Sequence, residues 1–127
     1  EIYKMKDDIT SFLTRHHIPY HETEDFESIM PLVDAIYMTR IQNEYSEDPT
    51  HEAETYPAFH FKKEHLDNIQ AHCVILHPLP RRYEIDVAVD KDHRAAYWRQ
   101  ERNGMWIRAA LIAYLFKVEN EIIDMFS

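Results

Sequence analysis

Apolar and polar positions change period every ten residues or so along this chain, and the changes mark out its elements. Lys6-Asp7-Asp8 precedes Ile9, Phe12 and Leu13, a spacing that builds one apolar stripe and predicts a short helix to about His16. Ile18-Pro19-Tyr20-His21 reads as a short strand or extended edge, where proline is tolerated. Thr23 is placed to cap a second helix through Ile29 and Met30, with Glu24 and Asp25 at its positive end. Asp34-Ala35-Ile36-Tyr37-Met38 and Cys73-Val74-Ile75-Leu76 are brief apolar runs, as expected of strands buried on both faces. Between them, residues 43–61 are polar and acidic and predict a long loop, and Lys63 to Ile69 fits a short helix. After a loop over residues 77–92 the pattern is helical from His93 to Phe116, with a break expected near Asn103-Gly104. Beyond Met105 it is apolar nearly all round, which predicts a buried helix. The alternation is that of an α/β domain: a parallel sheet with flanking helices.

Composition narrows the function classes. At 127 residues the chain is expected to form a single domain. Its net charge of −9 argues against nucleic acid as a partner. The one glycine, Gly104, excludes glycine-rich phosphate cradles. The one cysteine, Cys73, has no internal disulfide partner and reads as an inert core thiol. The longest apolar run, Ala109 to Phe116, is far short of the roughly 20 residues that span a bilayer. No secretion signal is visible, so a soluble, cytoplasmic protein with no membrane partner is expected. The start at Glu1, without an initiator methionine, is what a fragment of something longer would show.

Charge is uneven. Six of the eight arginines fall between Arg81 and Arg108, where they either lace a surface with ion pairs or receive carboxylates and phosphates. In open α/β sheets ligands bind at loops leaving the carboxyl ends of strands. Tyr37-Met38-Thr39-Arg40-Ile41-Gln42 leaves the first strand and puts Arg40 and Gln42 on one side of an extended segment, a sensible receiver for a carboxylate. His77-Pro78-Leu79-Pro80-Arg81 leaves the second. Its prolines lack N–H groups, so the loop keeps carbonyls free to accept from a ligand amine. The nine histidines show no zinc spacing: His60/His65 and His72/His77 are five apart, off a shared helix face. They read as surface or loop residues, with His77 bracing its loop. Trp98 and Trp106 read as core aromatics, and the acidic Glu44–Glu54 loop as a solvated face or an intersubunit contact. No metal or cofactor is expected.

His77-Pro78-Leu79-Pro80-Arg81, followed by Glu84-Ile85, Val89-Asp90, Arg94-Ala95-Ala96-Tyr97 and Arg99-Gln100, resembles the carboxyl-terminal half of the aspartate carbamoyltransferase family. Tyr37-Met38-Thr39-Arg40-Ile41-Gln42 is similar to the family's strand-to-loop signature. Asn103-Gly104, Arg108 and the apolar helix are similar to its closing helix. The resemblance runs from about Met5 to Phe116 and implies that residues 1–127 are one partial, aspartate-binding domain of the carbamoyltransferase fold. The family transfers the carbamoyl group of carbamoyl phosphate to the amine of L-aspartate in pyrimidine biosynthesis. By resemblance, Arg40 and Gln42 bind a substrate carboxylate. The carbonyls of Leu79 and Pro80, across a bond that is cis in the family, orient the attacking amine as substrate-binding and catalytic groups.

The family's carbamoyl-phosphate motif is absent from this segment, so a homotrimer and activity are expected only with the remainder of the catalytic polypeptide, and the segment alone is expected to be inactive. Tyr45 stands where the family often has an arginine, and Tyr83 where an acidic residue is common. Two alternatives remain. An ornithine-type carbamoyltransferase has a cysteine where Pro78 stands, and Cys73, some 16 Å away along a strand at about 3.3 Å per residue, does not substitute. A catalytically silent relative or interaction module is the other.

Overall fold

The structure is a computed structural model, and it describes residues 4–39 and 60–125. Helix α1 spans Asp7–Arg15, with Asp7 and Asp8 at its positive end and Arg15 in its last turn. It stops at a Schellman-type close: His17 adopts φ 55°, its N–H bonds to the Thr14 carbonyl at 3.1 Å, and the Ile18 N–H bonds to Leu13 at 2.9 Å. Glycine usually fills that left-handed position, and a side chain there costs about 1–2 kcal/mol. Residues Ile18 to His21 continue as irregular backbone, not as the expected strand, and no strand among the described residues pairs with them. Short helix α2, Phe26–Ile29, is capped by Asp25, whose Oδ1 accepts from the Ser28 N–H at 3.1 Å. Thr23, the expected cap, instead accepts from the Asp25 N–H at 3.0 Å and shapes the approach. A 3₁₀ turn, Met30–Leu32, follows directly.

Strands β1 (Ala35–Tyr37) and β2 (Val74–Leu76) pair in parallel, with Ala35 opposite Val74, Ile36 opposite Ile75 and Tyr37 opposite Leu76. Both are shorter than the apolar runs that announce them. The far edge of β2 is closed by Ala95, through Ile75 N–H to Arg94 at 2.8 Å and Ala96 N–H to Ile75 at 2.9 Å. One sheet face sends Ile36 and Ile75 into a core with Met30, Met38, Phe61, Ile69, Cys73, Ile85, Val89 and Tyr97. Cys73 is fully buried, and burial pushes its thiol pKa up, in keeping with an inert core residue.

The predicted helix at Lys63 to Ile69 is a 3₁₀ turn over Lys63–Asp67, and a second 3₁₀ turn, Val87–Lys91, sits inside the loop expected over residues 77–92. Helix α3 runs unbroken from Tyr97–Phe116, straight through Asn103 and Gly104. It begins four residues later than expected, because Arg94 and Ala95 are held at the sheet edge. Helix α4, Glu119–Met125, follows after Lys117 turns the chain at φ 56°.

The largest departure from expectation is the environment of α3. Its apolar carboxyl-terminal length is not buried: Trp106 is 62%, Ile107 67%, Leu111 54%, Tyr114 69% and Phe116 75% exposed, and within it only Ala113 is covered. Trp98, 50% exposed, is not a core aromatic either. The histidine expectation fails at one position: His65, in the 3₁₀ turn, is buried edge-on to Phe26 and Phe61, and burial lowers its pKa. His77 is a loop residue as expected, though fully buried. Among the described residues, no helix is long and apolar enough to cross a membrane.

Candidate active site

The two parallel strands end side by side, so the loops after Tyr37 and Leu76 leave from one end of the sheet. Met38 is tied across by its N–H to the Leu76 carbonyl at 2.9 Å and is buried. Arg40 and Gln42, predicted to take the substrate carboxylate, lie outside the described residues, as do Tyr45 and the acidic Glu44–Glu54 loop.

The second loop is built from its own polar groups. His77 is fully buried, and its Nδ1 accepts the Leu79 N–H at 2.9 Å. That bond places the proton of the neutral ring on Nε2, which faces the Glu84 carboxylate at 3.7 Å. Glu84, also fully buried, turns Oε2 back to accept the Arg82 N–H at 2.8 Å. His77 thus braces the loop, as its position suggested. Leu79 is held at φ 47°, a conformation a side chain disfavours, and the Leu79–Pro80 bond is cis.

The loop's far end is locked by Arg81, whose guanidinium bonds both oxygens of Asp90 and lies 5.7 Å from the Tyr97 ring and 5.8 Å from that of Trp98. The Tyr97 hydroxyl donates to the same Asp90 oxygen. Arg81, with help from Tyr97, holds the Asp90 carboxyl below the ordinary carboxylate range; burial and Asp90 together raise the Tyr97 pKa. Arg94 forms the matching lock beneath the sheet, bidentate to Asp92 and bonded to the carbonyls of Leu66, Ile69 and Gln70. It holds the Asp92 pKa down at about 2. Two of the clustered arginines are therefore structural clamps, not receivers of a ligand.

With the loop pinned at both ends, neither the Leu79 nor the Pro80 carbonyl accepts a hydrogen bond from any described residue. Such carbonyls suit a protonated or neutral amine. The clamps themselves were not assigned from sequence, although Arg81, Asp90 and Tyr97 all fall in the recognisable motif. The missing signal was the pairing, which spans 9 and 16 positions.

Above the open sheet face, Val74, Leu76, Ala96, Arg99, Gln100, Asn103, Gly104 and Ile107 line a groove of about 410 Å³. A separate cleft of about 270 Å³, between α2 and the 60–65 segment, shares no residue with the strand-end loops. Among the described residues no three histidine, cysteine or acidic groups are placed to hold a metal ion.

A two-stranded parallel sheet, with the cis Leu79–Pro80 turn leaving the carboxyl end of its second strand, defines a small α/β domain of the kind that carries a site at its strand ends. The family model for the aspartate/ornithine carbamoyltransferase Asp/Orn binding domain matches residues 3–115, and the chain belongs to that family. It is 42% identical over 119 residues to the chloroplastic aspartate carbamoyltransferase of Oryza sativa subsp. japonica, covering 91% of this chain and 32% of that protein. It superimposes on the catalytic subunit of M. jannaschii aspartate transcarbamoylase with a TM-score of 0.81 at 31% identity, over 90% of this chain and 38% of that one. The Trypanosoma cruzi aspartate transcarbamoylase in complex with carbamoyl phosphate and aspartate matches with a TM-score of 0.73 at 28% identity, over 85% and 36%. The chain thus spans about a third of the length of the curated relatives it matches.

Proposed function

We propose that this chain is the aspartate-binding part of an aspartate carbamoyltransferase, which moves the carbamoyl group of carbamoyl phosphate onto the amine of L-aspartate. The observation that carries this reading is the strand-end loop whose side chains are taken up by its own backbone N–H groups and by the Arg81–Asp90 pair, while the Leu79 and Pro80 carbonyls accept no hydrogen bond from any described residue. Arg40, with Gln42 beside it, binds a carboxylate of aspartate by charge-assisted bonds. The Leu79 and Pro80 carbonyls accept N–H bonds from its amine and aim the nitrogen lone pair at the carbamoyl carbon. The new C–N bond forms as the C–O bond to phosphate breaks, and the amine's proton passes to the departing phosphate, giving N-carbamoyl-aspartate and phosphate. Such a site works by positioning and charge stabilisation, without a covalent enzyme intermediate.

The groups that receive carbamoyl phosphate belong, in this reading, to the rest of a longer polypeptide that assembles as a homotrimer. The exposed apolar length of α3 supports that reading, since a lone domain rarely leaves so continuous a face to water. The test is an assay for N-carbamoyl-aspartate. The complete polypeptide should form it, the purified 127-residue segment should not, and ornithine should fail to replace aspartate. Turnover by the segment alone, or preference for ornithine, contradicts the assignment.

A further inference from the structure

One side chain joins the two strand-end loops. Gln100, in the first turn of α3, accepts the His77 N–H on Oε1 at 3.1 Å, and its Nε2 donates to the Tyr37 hydroxyl at 2.9 Å. Tyr37 is the last residue of β1, three positions before Arg40, and His77 is the first residue after β2, two before Leu79. The amide is planar and its two ends are chemically distinct, one only accepting and one only donating. It therefore fixes the height of one loop's root against the other in a single orientation. Among the described residues the sheet supplies no further hold at this end beyond the Met38–Leu76 bond, since both strands are only three residues long. Gln100 is itself fixed at its root: its backbone N–H bonds to the Ala96 carbonyl at 2.8 Å, and Ala96 is bonded to Ile75 at the sheet centre.

Resting on the aspartate reading above, we infer that Gln100 is a positioning residue for aspartate. By tying Tyr37 to His77 it fixes the end of β1, from which the chain runs on to Arg40, against the root of the loop that carries the Leu79 and Pro80 carbonyls. It touches neither reacting group. A substrate gripped at both ends is sensitive to that spacing, and errors near 1 Å carry large rate penalties. The role is specific to the two-ended substrate, so the carbamoyl donor should not sense it.

The experiment is steady-state kinetics of the complete polypeptide with Gln100→Ala, Tyr37→Phe and both together, varying aspartate and carbamoyl phosphate separately. Gln100→Ala should raise the aspartate KM about tenfold and leave that for carbamoyl phosphate within about twofold. Tyr37→Phe, which removes one hydroxyl from a half-exposed ring, should give a smaller rise of the same kind. The double variant should be no worse than Gln100→Ala alone, because both changes break one connection. If Gln100→Ala does not fold, Tyr37→Phe carries the same KM comparison. Unchanged aspartate KM in active variants, equal rises for both substrates, or effects that multiply would each overturn the positioning role and leave the aspartate assignment standing. A wild-type polypeptide that transfers no carbamoyl group to aspartate would overturn both.

Discussion

The His77–Tyr97 region and the outer length of α3 follow opposite rules within one short chain. In the first, ionisable groups are drawn inside beside partners: His77 facing Glu84, Arg81 paired with Asp90, Arg94 with Asp92. In the second, large apolar side chains from Trp106 to Phe116 stand in water. The first region is finished from within, its shape held by these pairs and by hydrogen bonds among its own residues. The second has the composition of a core without a second wall. The difference teaches that the loop after β2 is completed by internal polar contacts, without help from the exposed length of α3.

The comparison predicts large losses in the finished region. Asp90→Ala strips Arg81 and Tyr97 of their shared acceptor and leaves a largely buried guanidinium unpaired, at about 3 kcal/mol. Chemical unfolding of the variant checks this, and a loss under about 1 kcal/mol would mark the clamp as decorative. Asp92→Asn should cost less, about 2 kcal/mol at neutral pH, since its folded pKa of about 2 lies below the ordinary 3.8. A depressed carboxylate pKa contributes fully above the unfolded value and is lost as pH falls from 3.8 toward about 2. The gap between wild type and variant should therefore close across that window in acid titrations of stability.

In the unfinished region the effects should be small or reversed in sign. Gly104 sits mid-helix, and a Cβ there would meet only the Arg108 guanidinium at 3.6 Å or farther. Gly104→Ala should stabilise the isolated segment by about 1 kcal/mol, read from its unfolding midpoint. Leu111→Gln and Ile112→Gln, at positions more than half exposed, should shift it by less than about 0.5 kcal/mol while lowering self-association. A loss of several kcal/mol at either position would show that the segment buries this face by itself.

Much of the fold and part of the site are legible along the chain. The apolar runs mark both strands, the segments leaving their carboxyl ends mark the two candidate loops, of which the second is described, and the place of His77 before Pro78 marks it as a brace. The helix caps are harder. With one glycine in the chain, His17 and Lys117 take the left-handed positions, and neither residue type signals that. Asp25 displaces Thr23 as the α2 cap because both lie within capping distance of the same turn. The α3 expectation fails for a different reason. Hydrophobicity reports that a face will be covered, and not whether the covering surface lies within the same segment. The linking role of Gln100 is invisible in the sequence because its two partners lie 23 and 63 positions away, beyond the reach of any local pattern.

The central claim is that the strand-end loops hold aspartate at both of its ends, and Arg40 tests it most directly. Arg40→Ala in the complete polypeptide removes a charge-assisted carboxylate contact worth about 1.5–3 kcal/mol, one to two decades in aspartate use. Carbamoyl-phosphate binding, measured separately, should stay within about twofold. An equal loss for both substrates would contradict the account and make Arg40 a structural residue.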